Sequence, residues 1–141
     1  MVGIILVGHG KFATGLKSSI DLIVGEQKNF KTVDFLKTDS VDDLKNNIKN
    51  ALDSLDTSDG VLFFTDVVGG SPFKTSVLLS NELKNSEVIS GTNLPAIVEI
   101  LFEREIASVK DLKDKAIENG KNGLQFFKPK KKKKVESNNG I

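Results

Sequence analysis

The sequence predicts an α/β domain: a doubly wound, mostly parallel four-stranded sheet flanked by helices. Three observations carry that expectation. The apolar runs at 3–7 and 61–65 do not alternate with polar residues, as suits parallel strands covered on both faces. Stretches with helical spacing of apolar residues lie between the strands, so strand and helix alternate along the chain. The chain has 141 residues and no cysteine, enough length for one domain to fold without staples.

Taken in order, Gly3-Ile4-Ile5-Leu6-Val7-Gly8-His9-Gly10 reads as a buried strand that stops at the only histidine. Phe12, Leu16, Ile20 and Ile23 then recur at helical spacing, and Gly25 stands where that helix should end. Phe30 to Leu36 is the second strand. Ser40-Val41-Asp42-Asp43 resembles a capping box with Asp in place of Glu, and an apolar stripe carries its helix to about Leu55. A Thr57–Gly60 turn leads into Val61–Thr65. Ser71 is expected as an N-cap with Pro72 as first helical residue, and the helix should reach about Lys84. Glu87 to Ser90 is a short fourth strand. Gly91 to Pro95 opens a fourth helix, with Leu94, Ile97, Val98, Leu101 and Phe102 expected on its buried face. Ser108 to Asp111 caps a fifth helix, expected to end at Asn119-Gly120, and Leu124 to Phe127 reads as a last strand.

Composition excludes several functions. Without cysteine there is no disulfide, thiolate nucleophile or sulfur-bound zinc, and one histidine does not make a multi-histidine metal site. No metal and no cofactor is expected. No apolar run approaches the roughly 20 residues of a membrane span, and no leader precedes the first strand, so a cytoplasmic location is expected. Six Lys and one Glu give residues 128–141 a charge of +5, which leaves −4 on residues 1–127 of a chain whose net charge is +1. An acidic body argues against nucleic-acid binding. The domain is expected over 1–128, followed by a disordered lysine-rich tail over 129–141.

His9 should sit at the carboxyl end of the first strand, and Asp66-Val67-Val68-Gly69-Gly70-Ser71-Pro72-Phe73 holds the equivalent place after the strand at Val61–Thr65. Ligands gather at that edge of open α/β sheets. A carboxylate on one ring nitrogen fixes the tautomer and frees the other as a nucleophile, so His9 and Asp66 are the candidate catalytic pair. Backbone amides near Gly10, Gly70 and Ser71 are the candidate phosphate-binding donors, because helix starts offer N–H groups and a positive dipole end to anions. A rival reading takes Gly8-x-Gly10-x-x-Ala13 as a dinucleotide fingerprint, with Asp34 some twenty residues on. Against it, Asp34 falls within the second strand and only four parallel strands are available.

Gly8-His9-Gly10, Gly25-Glu26-Gln27, Asp34-Phe35, Thr65-Asp66-x-x-Gly-Gly-Ser-Pro-Phe and Val88 to Pro95 together resemble the enzyme IIA component of the bacterial phosphotransferase system (PTS), mannose/fructose/sorbose family. The resemblance covers residues 1 to about 128. It implies a phosphohistidine carrier that accepts a phosphoryl group from HPr on His9, at Nε2, and passes it to a IIB component for sugar uptake. Membrane IIC and IID components would be served indirectly. It further implies that Asp66 holds the other ring nitrogen, that Ser71 lines the site, and that the chain is a homodimer exchanging a C-terminal strand, here Leu124 to Phe127. Val68 stands where mannose-transporting relatives carry an aromatic residue. Gly91-Thr92-Asn93-Leu94 and Glu103-Arg104-Glu105 look more like members serving N-acetylgalactosamine or galactosamine. The related phosphotransfer subunit of dihydroxyacetone kinase is an alternative in which the full Gly-Gly-Ser-Pro-Phe segment is not expected.

Overall fold

The computed structural model describes residues 1–130. It is built as β1 (Gly3–His9), α1 (Phe12–Val24), β2 (Phe30–Phe35), α2 (Val41–Asp53), β3 (Val61–Thr65), α3 (Ser71–Ser80), β4 (Ser86–Ile89), α4 (Leu94–Val98), a 3₁₀ segment (Glu99–Glu103) and α5 (Val109–Gly123). The four strands form one sheet in the order β2-β1-β3-β4, and every pairing is parallel.

The unbroken apolar run of β1 has a direct explanation. Ile4 and Leu6 enter one core layer, while Ile5 and Val7 enter the other. The first layer is shared with α1, α4 and α5, the second with α2 and α3. All four side chains are fully buried, and burial of each is worth about 1.5–3 kcal/mol. Because β1 is flanked by β2 and β3, the chain leaves β1 towards one side of the sheet and leaves β3 towards the other. The crevice between their carboxyl ends is the switch point where such folds place ligands.

Local chemistry sets most boundaries as expected. Ser40 accepts from the Asp43 N–H and Asp43 accepts from the Ser40 N–H, the complete capping box. Ser108 accepts from the Asp111 N–H. Several ends differ from expectation. α2 stops at Asp53 and α3 at Ser80, each followed by turns that still deliver Leu55 and Leu83 to the core. Ser71 is not a cap: Gly70 occupies that position with no side-chain hydrogen bond, and Ser71 is the first helical residue. Phe102 is 73% exposed, because the change from α to 3₁₀ winding after Val98 keeps Ile100 and Leu101 inside and turns Phe102 out. α5 runs through Gly120 to Gly123. A Cβ at Gly120 would lie 3.1 Å from the Ala96 Cβ, and one at Gly123 would clash with Pro95 at 2.5 Å. These glycines let α5 press against α4, and that contact outweighs their tendency to end a helix.

Leu124 to Phe127 is not a strand within its own chain, and Leu124, Phe126 and Phe127 are exposed. Of the lysine-rich segment expected over 129–141, Pro129 and Lys130 are exposed, and the rest lies outside the described residues. No helix among the described residues is long and apolar enough to cross a membrane.

Candidate active site

His9 is the last residue of β1, in register with Phe35 of β2, and its ring leans against Phe35 with centroids 5.8 Å apart. Gly8 makes room beneath it: a Cβ there would meet Phe12 at 2.4 Å, so glycine lets the first turn of α1 pack directly on the strand. Pairing between β1 and β3 ends at Val7 and Thr65. One residue on, the Asp66 side chain takes over from backbone: its Oδ2 accepts the His9 N–H at 2.8 Å and sits 2.7 Å from the His9 ring Nδ1.

Burial pushes the Asp66 carboxyl up, but the His9 N–H, the His9 ring and the nearby Val67 N–H together outweigh it and leave the group below the usual carboxylate range. The Val67 N–H acts without a hydrogen bond of good geometry, since Oδ1 is buried with no partner among the described residues. An ionised carboxylate can only accept, so Nδ1 carries the ring proton and Nε2 is left with its lone pair. The His9 side chain is 48% exposed against 12% for Asp66, so the ring is open to solvent while its orienting group is largely shielded.

The backbone of Asp66 is itself held by the loop after β4. The Gly91 N–H donates to the Asp66 carbonyl, and both the N–H and the hydroxyl of Thr92 donate to the Thr65 carbonyl, at 3.2 and 2.8 Å. The Thr65 hydroxyl returns a bond to the Ile89 carbonyl at 2.7 Å. Thr65, Gly91, Thr92 and Phe35 are therefore part of the site's framework although sequence reasoning did not single them out for it. The available signal was their place in the segments Asp34-Phe35, Thr65 to Phe73 and Val88 to Pro95 that carry the family resemblance.

The start of α3 faces the ring. Gly70 lies so near that a Cβ would stand 2.9 Å from His9 Cε1. Among the described residues the N–H groups of Ser71 and Phe73 make no hydrogen bond, Pro72 has none to give, and the Ser71 hydroxyl is uncommitted. Gly10 does not join this cradle, because its N–H donates to the Phe35 carbonyl at 2.7 Å; its φ of +58° instead turns the chain sharply away from His9. At α1 the Thr14 N–H and hydroxyl are taken by Asp34, at 3.1 and 2.7 Å. That same contact weighs against the dinucleotide reading, because the Asp34 carboxylate it would use for a ribose is engaged by α1. Exposed Leu36, Val67 and Val68 come from the loops that flank the histidine and give its surroundings an apolar rim.

The site is thus an imidazole oriented by a largely buried carboxylate, facing a helix N-terminus at the switch point of a parallel sheet of the α/β class. The family model described as PTS system fructose IIA component, EIIA-man, matches residues 3–117, and the chain belongs to this family of PTS IIA components. It is 34% identical over 112 residues to the PTS system fructose-specific EIIA component of Bacillus subtilis, covering 79% of this chain and 77% of that one. It is 34% identical over 130 residues to the PTS system mannose-specific EIIAB component of Escherichia coli K12, covering 92% of this chain but only 40% of that longer protein. Among solved structures, the phosphotransferase system component EIIA from Streptococcus agalactiae superposes with a TM-score of 0.82 at 32% identity, covering 89% of this chain and 97% of that one.

Proposed function

We propose that this chain is a phosphohistidine relay of the sugar phosphotransferase system, with His9 as the residue phosphorylated. The observation that carries the proposal is the bond from Nδ1 to Asp66, which leaves Nε2 exposed opposite the start of α3. Neutral Nε2 attacks the phosphorus of the donor's phosphohistidine, the new N–P bond forms as the old one breaks, and the donor ring leaves with its electron pair. Asp66 stabilises the charge that develops on the His9 ring. The amides of Ser71 and Phe73 and the Ser71 hydroxyl, beside Gly70, stabilise the equatorial oxygens without moving. The donor is HPr, the acceptor is a IIB component, and the IIC and IID components are served through IIB. The reaction needs no metal or cofactor and takes place in the cytoplasm.

The homodimer with exchanged C-terminal strands belongs to the same proposal. It is supported by the outer edge of β4, which has no neighbouring strand among the described residues, and by the exposure of Leu124, Phe126 and Phe127. The sugar is selected elsewhere. The segments that resemble N-acetylgalactosamine or galactosamine members are engaged in packing: Arg104 is buried among backbone carbonyls, and Thr92 and Asn93 bond to Thr65 and Gly120.

The test is incubation with phosphoenolpyruvate, enzyme I and HPr, followed by intact-protein mass spectrometry under mild alkali. One acid-labile phosphoryl group, absent from His9→Ala, is expected. An unmodified chain beside active donors, or modification of His9→Ala, would overturn the relay.

A further inference from the structure

Asp66 aims one oxygen at two donors of His9, and little of that aim comes from the carboxylate itself. Its Oδ2 meets the His9 N–H at 2.8 Å and the ring Nδ1 at 2.7 Å, while Oδ1 is buried with no hydrogen-bond partner among the described residues. No side chain other than His9 steadies the carboxyl group there, so its direction is inherited from the Asp66 backbone. One loop pins that backbone on both sides. The peptide entering Asp66 presents the Thr65 carbonyl to the Thr92 N–H at 3.2 Å and to the Thr92 hydroxyl at 2.8 Å. The peptide leaving Asp66 presents the Asp66 carbonyl to the Gly91 N–H. Each peptide is a rigid plane, so fixing both leaves the Asp66 Cα–Cβ bond one direction.

The Thr92 hydroxyl is the part of this clasp that folding does not require. The Thr92 N–H already satisfies the Thr65 carbonyl, and the hydroxyl adds a second, shorter bond to the remaining lone pair. Thr65 is the one polar side chain of β3, whose other residues are Val61, Leu62, Phe63 and Phe64, and it is fully buried. Its hydroxyl donates to the carbonyl of Ile89, the last residue of β4, at 2.7 Å. Valine would fill either threonine's place and bring no hydroxyl that burial obliges the protein to satisfy. Two buried hydroxyls instead tie the end of β3 to the end of β4 and its loop, just beyond the last sheet pair, Phe64 and Ile89.

We propose that Thr92, backed by Thr65, is a positioning residue for phosphoryl transfer: its hydroxyl holds the Thr65–Asp66 peptide so that Asp66 keeps His9 in the Nδ1–H tautomer with Nε2 free. Thr92 is only 8% exposed, so it offers a donor protein almost no surface, and its action on the ring runs through Asp66. The effect on transfer rests on the relay reading, whereas the hold on the tautomer does not.

Thr92→Val keeps the outline of the side chain and removes the hydroxyl. Nitrogen NMR of the His9 ring, in the unphosphorylated chain at a pH where the ring is neutral, should show the Nδ1–H form in the parent and a mixture with the Nε2–H form in Thr92→Val. Phosphohistidine formation at saturating HPr should fall about tenfold, with the HPr concentration for half-maximal rate unchanged. Thr92→Ser, which restores the hydroxyl, should recover both. Val109→Ala controls for stability alone. Val109 is buried beside Gly60 at the amino end of β3, so that variant should melt earlier yet keep the parental tautomer and rate. If Thr92→Val does not fold, Thr65→Val removes the bond to Ile89 and should move tautomer and rate in the same direction. A parental tautomer or a parental rate in the valine variant, or a Thr92→Ser as slow as Thr92→Val, would each overturn the proposal. No donor protein enters the NMR measurement. A tautomer that shifts as expected in a chain HPr does not phosphorylate would therefore overturn the relay and leave the clasp's hold on the ring standing.

Discussion

One oxygen of Asp66, Oδ2, holds His9 twice, by its backbone N–H and by its ring Nδ1. The first bond fixes where the residue sits, the second how the ring is turned and which nitrogen is free. A single carboxylate thereby sets position, tautomer and charge compensation together.

Asp66→Asn keeps an acceptor of similar shape but removes the charge that favours a cationic or phosphorylated ring. Phosphoryl transfer from HPr should slow by about 10²–10⁴-fold while His9 remains modifiable. Rapid-quench measurement of phosphohistidine formation checks this, and a parental rate would reduce Asp66 to a turn residue.

Acid stability should report the same contact. The Asp66 pKa is lower in the folded chain than its ordinary 3.8, so its contribution to stability is complete well above pH 3.8 and is lost as pH falls through the folded value. The denaturant midpoint of the parent should therefore drop below about pH 4 more steeply than that of Asp66→Asn. Coincident profiles would show that the carboxylate has no special stabilisation.

Gly70→Ala tests the closeness of α3 to the ring. The backbone at Gly70 is ordinary for any residue, with φ −75°, yet the added Cβ would stand 2.9 Å from His9 Cε1. Transfer should fall by about tenfold to a hundredfold with little change in thermal stability. Gly69→Ala is the contrasting case: its φ is +81° with open space around it, so the cost should be stability, about 1–2 kcal/mol, and not orientation of His9. Calorimetry and transfer rates on the two variants should give opposite patterns.

Arg104 lies at the other end of the sheet, 2% exposed, where its guanidinium donates to the carbonyls of Val2, Lys28 and Asn29. Those carbonyls lie just before β1 and β2, so one side chain ties the strand starts to the 3₁₀ segment's end. Arg104→Met should destabilise the fold by about 3–5 kcal/mol, by stranding buried acceptors, and leave transfer by the remaining folded protein unchanged. Urea unfolding measures the first effect; a loss of transfer at full stability would contradict the assignment.

Much of this was legible in sequence because it depends on local rules. Non-alternating apolar strands, helical stripes and the Ser40–Asp43 box specify an alternating α/β chain, and the glycine-flanked His9 and the Asp66 loop stand out after apolar strands. Where expectation and structure part, a contact between distant residues won over a local preference. Gly120 lies inside α5 with Ala96 close against it, and Ser71 stands one place past the cap, after a Gly70 whose missing Cβ clears His9. Gly10 is spent on Phe35, and Asp34 on Thr14.

The amino-acid order alone is enough to specify the succession and type of the elements, the two-sided burial of β1 and β3, and the candidate nucleophile. Periodicity, capping and side-chain chemistry are properties of neighbouring residues, and they are written in the chain. Packing between remote segments selects which amides remain free beside His9, which loop braces the Thr65–Asp66 backbone, and which side of the imidazole is open. Those depend on register and close approach between segments dozens of residues apart, and a one-residue shift in any strand would change them all.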